Sequence, residues 1–411
     1  MKVLQINSVI DFGSTGRICR DLYDFLEANG HECVIAYGRG KSTPGYKTIK
    51  IGSKIDQAFH GVYSRLFDRH GFASRQATGQ LIKEIEKFDP DIIHLHNIHG
   101  YYLNVEILFN YLSTKDTPII WLLHDQWSIS GHSAYFELTN NGEIPSELLN
   151  REDLKEYPKS IFVSNFEKNL KDKEKLFTSV QNMTIVTPSN WLGSIVKKSF
   201  LNKYPIVTIY NGVDIDVFTV DSKNNDYIRK QWNAEKKTVI LGVAAIWDSR
   251  KGLKDFIKLN QMLSSADYQI VLVGIDEKTK NKLPKEIITI ERTNSVEELK
   301  DIYNASDIFV NPTYFDNFPT VNIEASACGT PVITYDTGGS GESINGNTGT
   351  IVDQGNFDML LNAIEKWGGK VPAVKKSCRR RVLEKFNKQK NYKQYLNLYN
   401  ERLNLKGKVN C

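Results

Sequence analysis

The chain has 411 residues, 53 Lys and Arg against 48 Asp and Glu (net charge +5), 40% hydrophobic and 25% charged residues. That length outgrows one compact core, so two domains of roughly 150–200 residues are expected, and the ordinary apolar and charged fractions exclude disordered and fibrous classes. The modest basicity comes without a binding motif or interleaved aromatics, which argues against a nucleic-acid partner.

The N-terminus, MKVLQINSVI, enters a strand at once, with none of the basic, apolar and small-residue order of a signal peptide. Short β-rich runs follow at 33–37, 92–96, 119–124, 162–163 and 184–187, with helix-like stretches such as 18–29 between them, where Ile18, Leu22, Phe25 and Leu26 recur at helical spacing. The longest apolar run, 119–123, is far below the ~20 residues of a membrane helix and reads as a buried strand. Gly13-Ser-Thr-Gly16 follows the first strand. As a dinucleotide fingerprint it is weak, since it lacks a third glycine and the second strand ends in Tyr37-Gly38 without a ribose-binding acid. Arg17 beside it is a candidate cation. In DIIHLHNIHG (91–100), His94 and His96 share one face of an extended segment and His99 follows the strand. No carboxylate stands at a recognisable ligand spacing from them, so no metal site is expected, and His94 and His96 read as structural histidines. His124 and Asp125 lie where a strand passes into a loop, a better place for function.

A boundary is expected at 204–218, where the Asn-Gly turn of IYNGVD closes a strand. The strand series then restarts at 238–243 and continues through 269–273, 287–290, 308–311, 331–334 and 350–352. Continuous apolar strands alternating with helices mean parallel sheets covered on both faces, here two of them in succession. In GVAAIWDSRKGL (242–253) a strand and a loop lead to Arg250 and Lys251, which read either as an exposed pair at a turn or as cations for a phosphate. In NPTYFDNFPTVNIEASACGTP (311–331) a loop carries Asp316, Pro319 opens a short helix and Gly329 ends it. Glu324 stands among small and apolar residues of that helix. A buried carboxylate needs hydrogen-bond donors, and a sugar diol, a lysine or its own helix start could each supply them. Two further glycines, in YDTGGSGE (335–342), allow close approach to a ligand. The late run KKSCRRR (375–381), followed by further lysines as far as 393, reads as a solvated helix face or as a patch for an anionic membrane or phosphate-bearing acceptor. The last segment, 387–404, is amphipathic through Tyr392, Tyr395, Leu396, Leu398 and Tyr399. The cysteines, Cys19, Cys33, Cys328, Cys378 and Cys411, are scattered without Cys-x-x-Cys pairs and suit free thiols in a reducing cytoplasm.

The 311–331 segment resembles the Glu, seven residues, Glu signature of glycosyltransferase family 4, with Asp316 in place of the first acid; the GVAAIWDSRKGL segment resembles that family's phosphate-binding stretch through Lys251, and the DIIHLHNIHG and His124-Asp125-Gln-Trp127 stretches resemble the subgroup that builds bacterial surface and capsular polysaccharides. This resemblance implies the α/β GT-B fold, two Rossmann-like domains facing across a deep cleft: an acceptor domain at 1–205, rejoined by the crossing C-terminal helix at 387–411, and a donor domain at 206–386. It implies retaining transfer of a hexosyl group from a nucleoside diphosphate sugar to a glycan or lipid-linked acceptor hydroxyl, without cofactor or metal, in the cytoplasm or at the inner membrane face. Glu324 would bind the nucleotide ribose, Asp316 and His124 the donor sugar, and Lys251 with Arg250 the diphosphate. Gly16 and the backbone at Phe318, Pro319, Thr320 and Val321 would approach the donor, while Arg17, His99 and Asp125 are further candidates near the acceptor. The chain departs from the pattern in three places. Asp316 is one methylene shorter than Glu, Ala245-Ile246-Trp247 occupies the usual place of an arginine, and Ser133 and Ala134 stand where relatives carry cysteines. Front-face substitution is the expected route, with double displacement through Asp316 its rival. Alternatives of a different kind are a sugar phosphorylase, a nucleotide-sugar epimerase, or a nucleotide-sugar-binding protein of little activity.

Overall fold

A computed structural model describes residues 1–136, 138, 143, 157–368 and 371–409. It divides into two compact units, Met1–Ile209 with Tyr392–Cys411, and Tyr210–Asn391.

The first unit alternates β1 (Lys2–Val9), α1 (Gly13–Ala28), β2 (Glu32–Arg39), β3 (Thr48–Lys50), α2 (Lys54–Phe67), α3 (Arg75–Phe88), β4 (Ile92–Leu95), α4 (Val105–Leu112), β5 (Ile119–Leu122), α5 (Phe166–Phe177), β6 (Met183–Thr187), α6 (Asn190–Val196) and β7 (Ile206–Thr208). Its strands form one parallel sheet in the order β3-β2-β1-β4-β5-β6-β7. The central strands β1, β4 and β5 are buried almost throughout, which is why they read as continuous apolar runs. The edge strands β3 and β7, three residues each, are too short to carry a periodic signature. The strand expected at 162–163 does not form. Ile161, Phe162 and Val163 are exposed in an irregular segment, and the Ile161 amide donates to the Arg65 carbonyl instead of to a sheet.

The second unit holds α7 (Asn225–Gln231), β8 (Thr238–Val243), α8 (Leu253–Met262), β9 (Tyr268–Val273), α9 (Glu277–Lys280), β10 (Ile288–Ile290), α10 (Val296–Ala305), β11 (Ile308–Asn311), α11 (Thr320–Ala327), β12 (Val332–Tyr335), β13 (Gly349–Val352), α12 (Phe357–Gly368) and α13 (Val371–Lys385). Its parallel sheet runs β10-β9-β8-β11-β12-β13. Each sheet has an apolar cluster on either face, the arrangement that parallel strands require. In both sheets the strand order reverses beside the first strand, so loops on either side of that point leave the same carboxyl edge, where ligands of open α/β sheets bind. This is the α/β two-domain GT-B architecture.

The last helix, α14 (Lys388–Val409), sends Tyr392, Tyr395, Leu398 and Tyr399 into the first unit's core beside Val3, Ile35, Leu122 and Val186. The expected basic face at 375–393 is corrected in part. Arg379 donates to the carbonyls of Phe218, Ala327 and Ile215, and Arg381 to those of Glu342 and Ser343. Lys388 pairs with Asp214 at 2.9 Å. These cations are used inside the second unit, where the two arginines tie α13 to the loops around it. Cys19, Cys33, Cys328 and Cys378 are buried free thiols, and burial pushes those of Cys33 and Cys378 up to about 12; Cys411 lies outside the described residues. No helix among the described residues is long and apolar enough to cross a membrane.

Candidate active site

In the second unit three loops from neighbouring strands are tied together. Lys251 and Gly252 follow β8, and Gly252 has φ +69° with its Cα so close to the end of β11 that a Cβ would lie 2.1 Å from the Pro312 carbonyl oxygen. The Arg250 carbonyl accepts from the Tyr314 amide at 2.7 Å and from the Thr313 hydroxyl at 3.1 Å. Across this joint Lys251 Nζ meets Asp316 Oδ2 at 2.6 Å, both side chains half-buried. The loop after β12 closes the other side, where the Gly339 amide donates to the Asp316 carbonyl at 3.1 Å. Asp316 and Lys251, 65 positions apart, therefore meet as an ion pair.

Arg250 turns away from that pair. Its guanidinium grips Asp248 through Nε at 3.1 Å and Nη2 at 2.6 Å. The Phe318 amide, expected to face a donor, donates to Asp316 Oδ1 at 3.3 Å, and the Phe318 ring is buried against Tyr210 and Phe386. Pro319 is the cap residue of α11, and Thr320 and Val321, both half-buried, form its first turn. Glu324 is buried one turn further, and the Tyr303 hydroxyl donates to its Oε2 at 3.1 Å. Part of the hydrogen bonding that its burial demands thus comes from the protein itself, through a contact that no local spacing signals.

Asn322 was passed over in the sequence, yet it organises the region. Fully buried, it accepts from Asn311 at 2.8 Å and donates to the hydroxyls of Ser340 and Ser343, joining β11, α11 and the loop after β12. A polar residue two positions before Glu324 on a helix otherwise made of small and apolar residues was the available signal. Glu342, at the end of the glycine-rich loop, accepts from the Tyr210 hydroxyl at 2.9 Å.

In the first unit the candidates lie on loops leaving β1, β4 and β5, which are neighbours in the sheet. Gly16 is buried in the first turns of α1, where a Cβ would lie 3.3 Å from the Asp11 amide nitrogen; Arg17, the next residue, is exposed. Gly13-Ser-Thr-Gly16 is thus the start of a helix and not a free loop. His99 Nε2 meets Asp125 Oδ2 at 2.7 Å, while the other carboxylate oxygen accepts from the Trp127 amide at 3.0 Å. Burial alone pushes the Asp125 carboxyl up, but the adjacent His99, the Trp127 amide and His124 bring it below its ordinary value. His124 Nε2 lies 3.2 Å from His96 Nδ1, and the rings stack at 5.4 Å. Burial lowers His124 to about 4, outweighing the opposite pull of Asp125. His94 and His96 are fully buried and structural: His94 bonds the Tyr399 hydroxyl, His96 bonds Gln5 at 2.9 Å, and their rings stack at 4.3 Å.

Sequence reasoning missed a second buried polar layer behind His99. Tyr157 bridges His99 and His70 at 3.3 Å each, His60 holds the Gly71 amide, and His132 pairs with Asp68. Lys173, also buried, donates to the carbonyls of Trp127 and Ser130 at 2.7 Å each and lies 3.6 Å above the Trp127 ring. These contacts link distant segments, so nothing in the spacing of the residues marks them. No group of three or more metal-ligating side chains occurs among the described residues.

Two family descriptions match the chain, "Glycosyltransferase Family 4" over residues 15–217 and "Glycosyl transferases group 1" over 224–370. The capsular polysaccharide biosynthesis glycosyltransferase CapM of Staphylococcus aureus is 28% identical over 202 residues, which are 46% of this chain and 53% of that protein. The chain thus spans about half the length of this curated relative. Among solved structures, sucrose-phosphate synthase from Thermosynechococcus elongatus superposes with a TM-score of 0.73 at 17% identity, covering 97% of this chain and 98% of that one. Anabaena HepE in complex with UDP gives 0.68 at 13% identity, covering 98% and 100%. At these identities the structural likeness establishes the fold.

Proposed function

The chain belongs to glycosyltransferase family 4, and we propose that it transfers a hexosyl group from a nucleoside diphosphate sugar to an acceptor hydroxyl, with retention of anomeric configuration. The half-buried Lys251–Asp316 pair at the head of α11 carries this reading, because it holds a cation and an acid together beyond the carboxyl ends of β8 and β11. In the reaction the bond from the anomeric carbon to the diphosphate breaks, and a bond to the acceptor oxygen forms on the same face. The acceptor proton passes to the departing phosphate oxygen. Lys251, exchanging Asp316 for the diphosphate, offsets the charge that develops there, and Arg250 would add to it on release from Asp248. Asp316, freed of its partner, accepts hydroxyls of the donor sugar. Glu324 accepts the ribose diol beside its bond from Tyr303. The N-terminal turn of α11, at Pro319, Thr320 and Val321, favours the anionic donor. In the first unit, His124 orients the donor sugar, Gly16 approaches the donor, and Arg17, His99 and Asp125 serve the acceptor side. No metal or cofactor enters this scheme.

The likeness to CapM supports a glycan intermediate of bacterial polysaccharide biosynthesis as acceptor, and the UDP complex of HepE supports a nucleotide sugar as donor. Binding of a panel of nucleoside diphosphate sugars, followed by calorimetry, tests the donor assignment. Glu324→Gln, which keeps the shape of the buried side chain, is expected to weaken nucleotide affinity by about tenfold or more, the loss of a charge-assisted hydrogen bond. Unchanged affinity would remove Glu324 from the donor site. The configuration of the product, read by NMR, decides between retention and inversion, and a glycosyl adduct trapped on Asp316 would replace front-face transfer by double displacement.

A further inference from the structure

Helix α2 is amphipathic in the reverse sense. A capping box formed by Ser53 and Asp56 starts it, and the residues it buries are His60, Gly61 and Ser64. His60 Nδ1 bonds Ser74 at 2.8 Å and Nε2 accepts from Gly71 at 3.1 Å, so polar contacts hold the inner face. The outer face carries Ile55 (81% exposed), Phe59 (65%), Val62 (54%) and Leu66 (37%), at the four- and three-residue steps that align on one stripe. Phe59, Tyr63 and Phe67 add a row of rings with centroids 6.4 and 5.1 Å apart. The stripe does not end with the helix. The Ile161 amide bonds the Arg65 carbonyl at 2.9 Å and the Asn165 side chain bonds that of Phe67 at 2.8 Å, which brings Ile161, Phe162 (76% exposed) and Val163 against its C-terminal end.

Two segments a hundred residues apart thus build one exposed apolar surface, when scattered single side chains are the usual condition of a protein surface. Among the described residues of these segments, Lys54, Arg65, Lys159, Lys168 and Lys171 are exposed beside it, and Glu167, also exposed, lies 3.9 Å from Lys171. We propose that this surface is a membrane-docking face, which inserts Ile55, Phe59, Val62 and Phe162 at the level of the headgroups of an anionic bilayer. Apolar and aromatic residues on one face with a lysine and arginine border are what an interfacial helix presents to anionic lipid. The long basic stems lie along the apolar region while their charges reach phosphates. The inference is independent of glycosyl transfer and of the basic stretch at 375–393.

The test is co-sedimentation of the full chain with vesicles of phosphatidylcholine alone and of phosphatidylcholine mixed equally with phosphatidylglycerol, neither containing a sugar acceptor. The wild type is expected to sediment with the mixed vesicles, less with the neutral ones, and less again at high salt. The double variant Phe59→Ser/Phe162→Ser is expected to lose about tenfold or more in partitioning, because most of the inserting area is gone. Lys376→Glu/Arg380→Glu, on α13, should sediment like the wild type. A single Phe59→Trp variant gives a second readout: its added fluorescence should shift to the blue on adding mixed vesicles. Failure of the wild type to sediment overturns the proposal, as does a double variant that sediments normally or an unmoved fluorescence maximum in the Phe59→Trp variant. Sedimentation velocity in which the double variant turns a dimer into a monomer, with no lipid binding by either, would assign the face to a second copy of the chain.

Discussion

Gly338 has φ +54°, and a Cβ built on it would lie 1.9 Å from the Asp316 carbonyl oxygen. An alanine there meets both backbone strain and a collision with the loop that presents Asp316 to Lys251. Gly338→Ala is therefore expected to lower stability by about 2 kcal/mol and nucleotide-sugar affinity by about tenfold, measured by urea unfolding and calorimetry. Gly346→Ala, where a Cβ meets nothing within 4 Å, is the control and should change neither. The residues of this site divided sharply in how well they could be read. Lys251, Asp316 and Glu324 stand in segments whose order of strand, loop and helix start is local, so they were legible. Tyr303 and Asn322 were not, because each acts through partners that only the fold brings near. Lys173 was the least legible of all. In FEKNLKDKEKLF every lysine looks solvated, and only the position of α5 beneath Trp127 buries this one.

Helix α13 shows the same limit for a whole element. From sequence its run of cations reads as a face turned to solvent, but Arg379 reaches three backbone carbonyls across the second unit. Carbonyls are strong acceptors with no sequence signature, and arginine's five donors satisfy several at once. Arg379→Met is expected to cost about 2–3 kcal/mol by leaving these acceptors unpaired, whereas Lys376→Met, at an exposed position of the same helix, should cost less than about 0.5 kcal/mol. Equal urea midpoints for the two would mean that the clamp contributes nothing. The buried strands were read well, since parallel pairing hides both of their faces and leaves continuous apolar runs. The pair at 162–163 was misread because β-branched and aromatic residues also suit an exposed apolar surface, and composition alone does not separate the two.

For the molecule as a whole, buried histidines set the response to acid. Burial holds His60 near 4, and burial with the neighbouring His124 holds His94 near 3. In the unfolded chain both titrate near 6.5. Between that value and their folded values the unfolded chain binds protons that the folded chain does not, so stability rises with pH across this window and is lost as pH falls. By pH 4.5 the loss for each amounts to about 2–3 kcal/mol, and melting midpoints should fall steeply between pH 6.5 and 4.5. His60→Gln should flatten that slope, and a wild-type midpoint unchanged over the window would contradict the assignment. The two-sheet plan was legible from the repeated strand series, while this acid sensitivity was hidden because His60 and His70 sit in stretches with no distinguishing pattern. The placement of α14 carries a consequence for how the protein is made. His94 bonds a tyrosine 305 positions further along, and Tyr392, Tyr395 and Leu398 complete the same core. At about 5–20 residues per second a ribosome needs roughly 15–60 s to cover that distance. Through the later part of that interval, once Ile209 has been made, the first unit lacks only this wall of its core, while the entire second unit emerges and can fold. The unit made first is therefore the last to be finished, and its unfinished core is a surface for chaperones to guard.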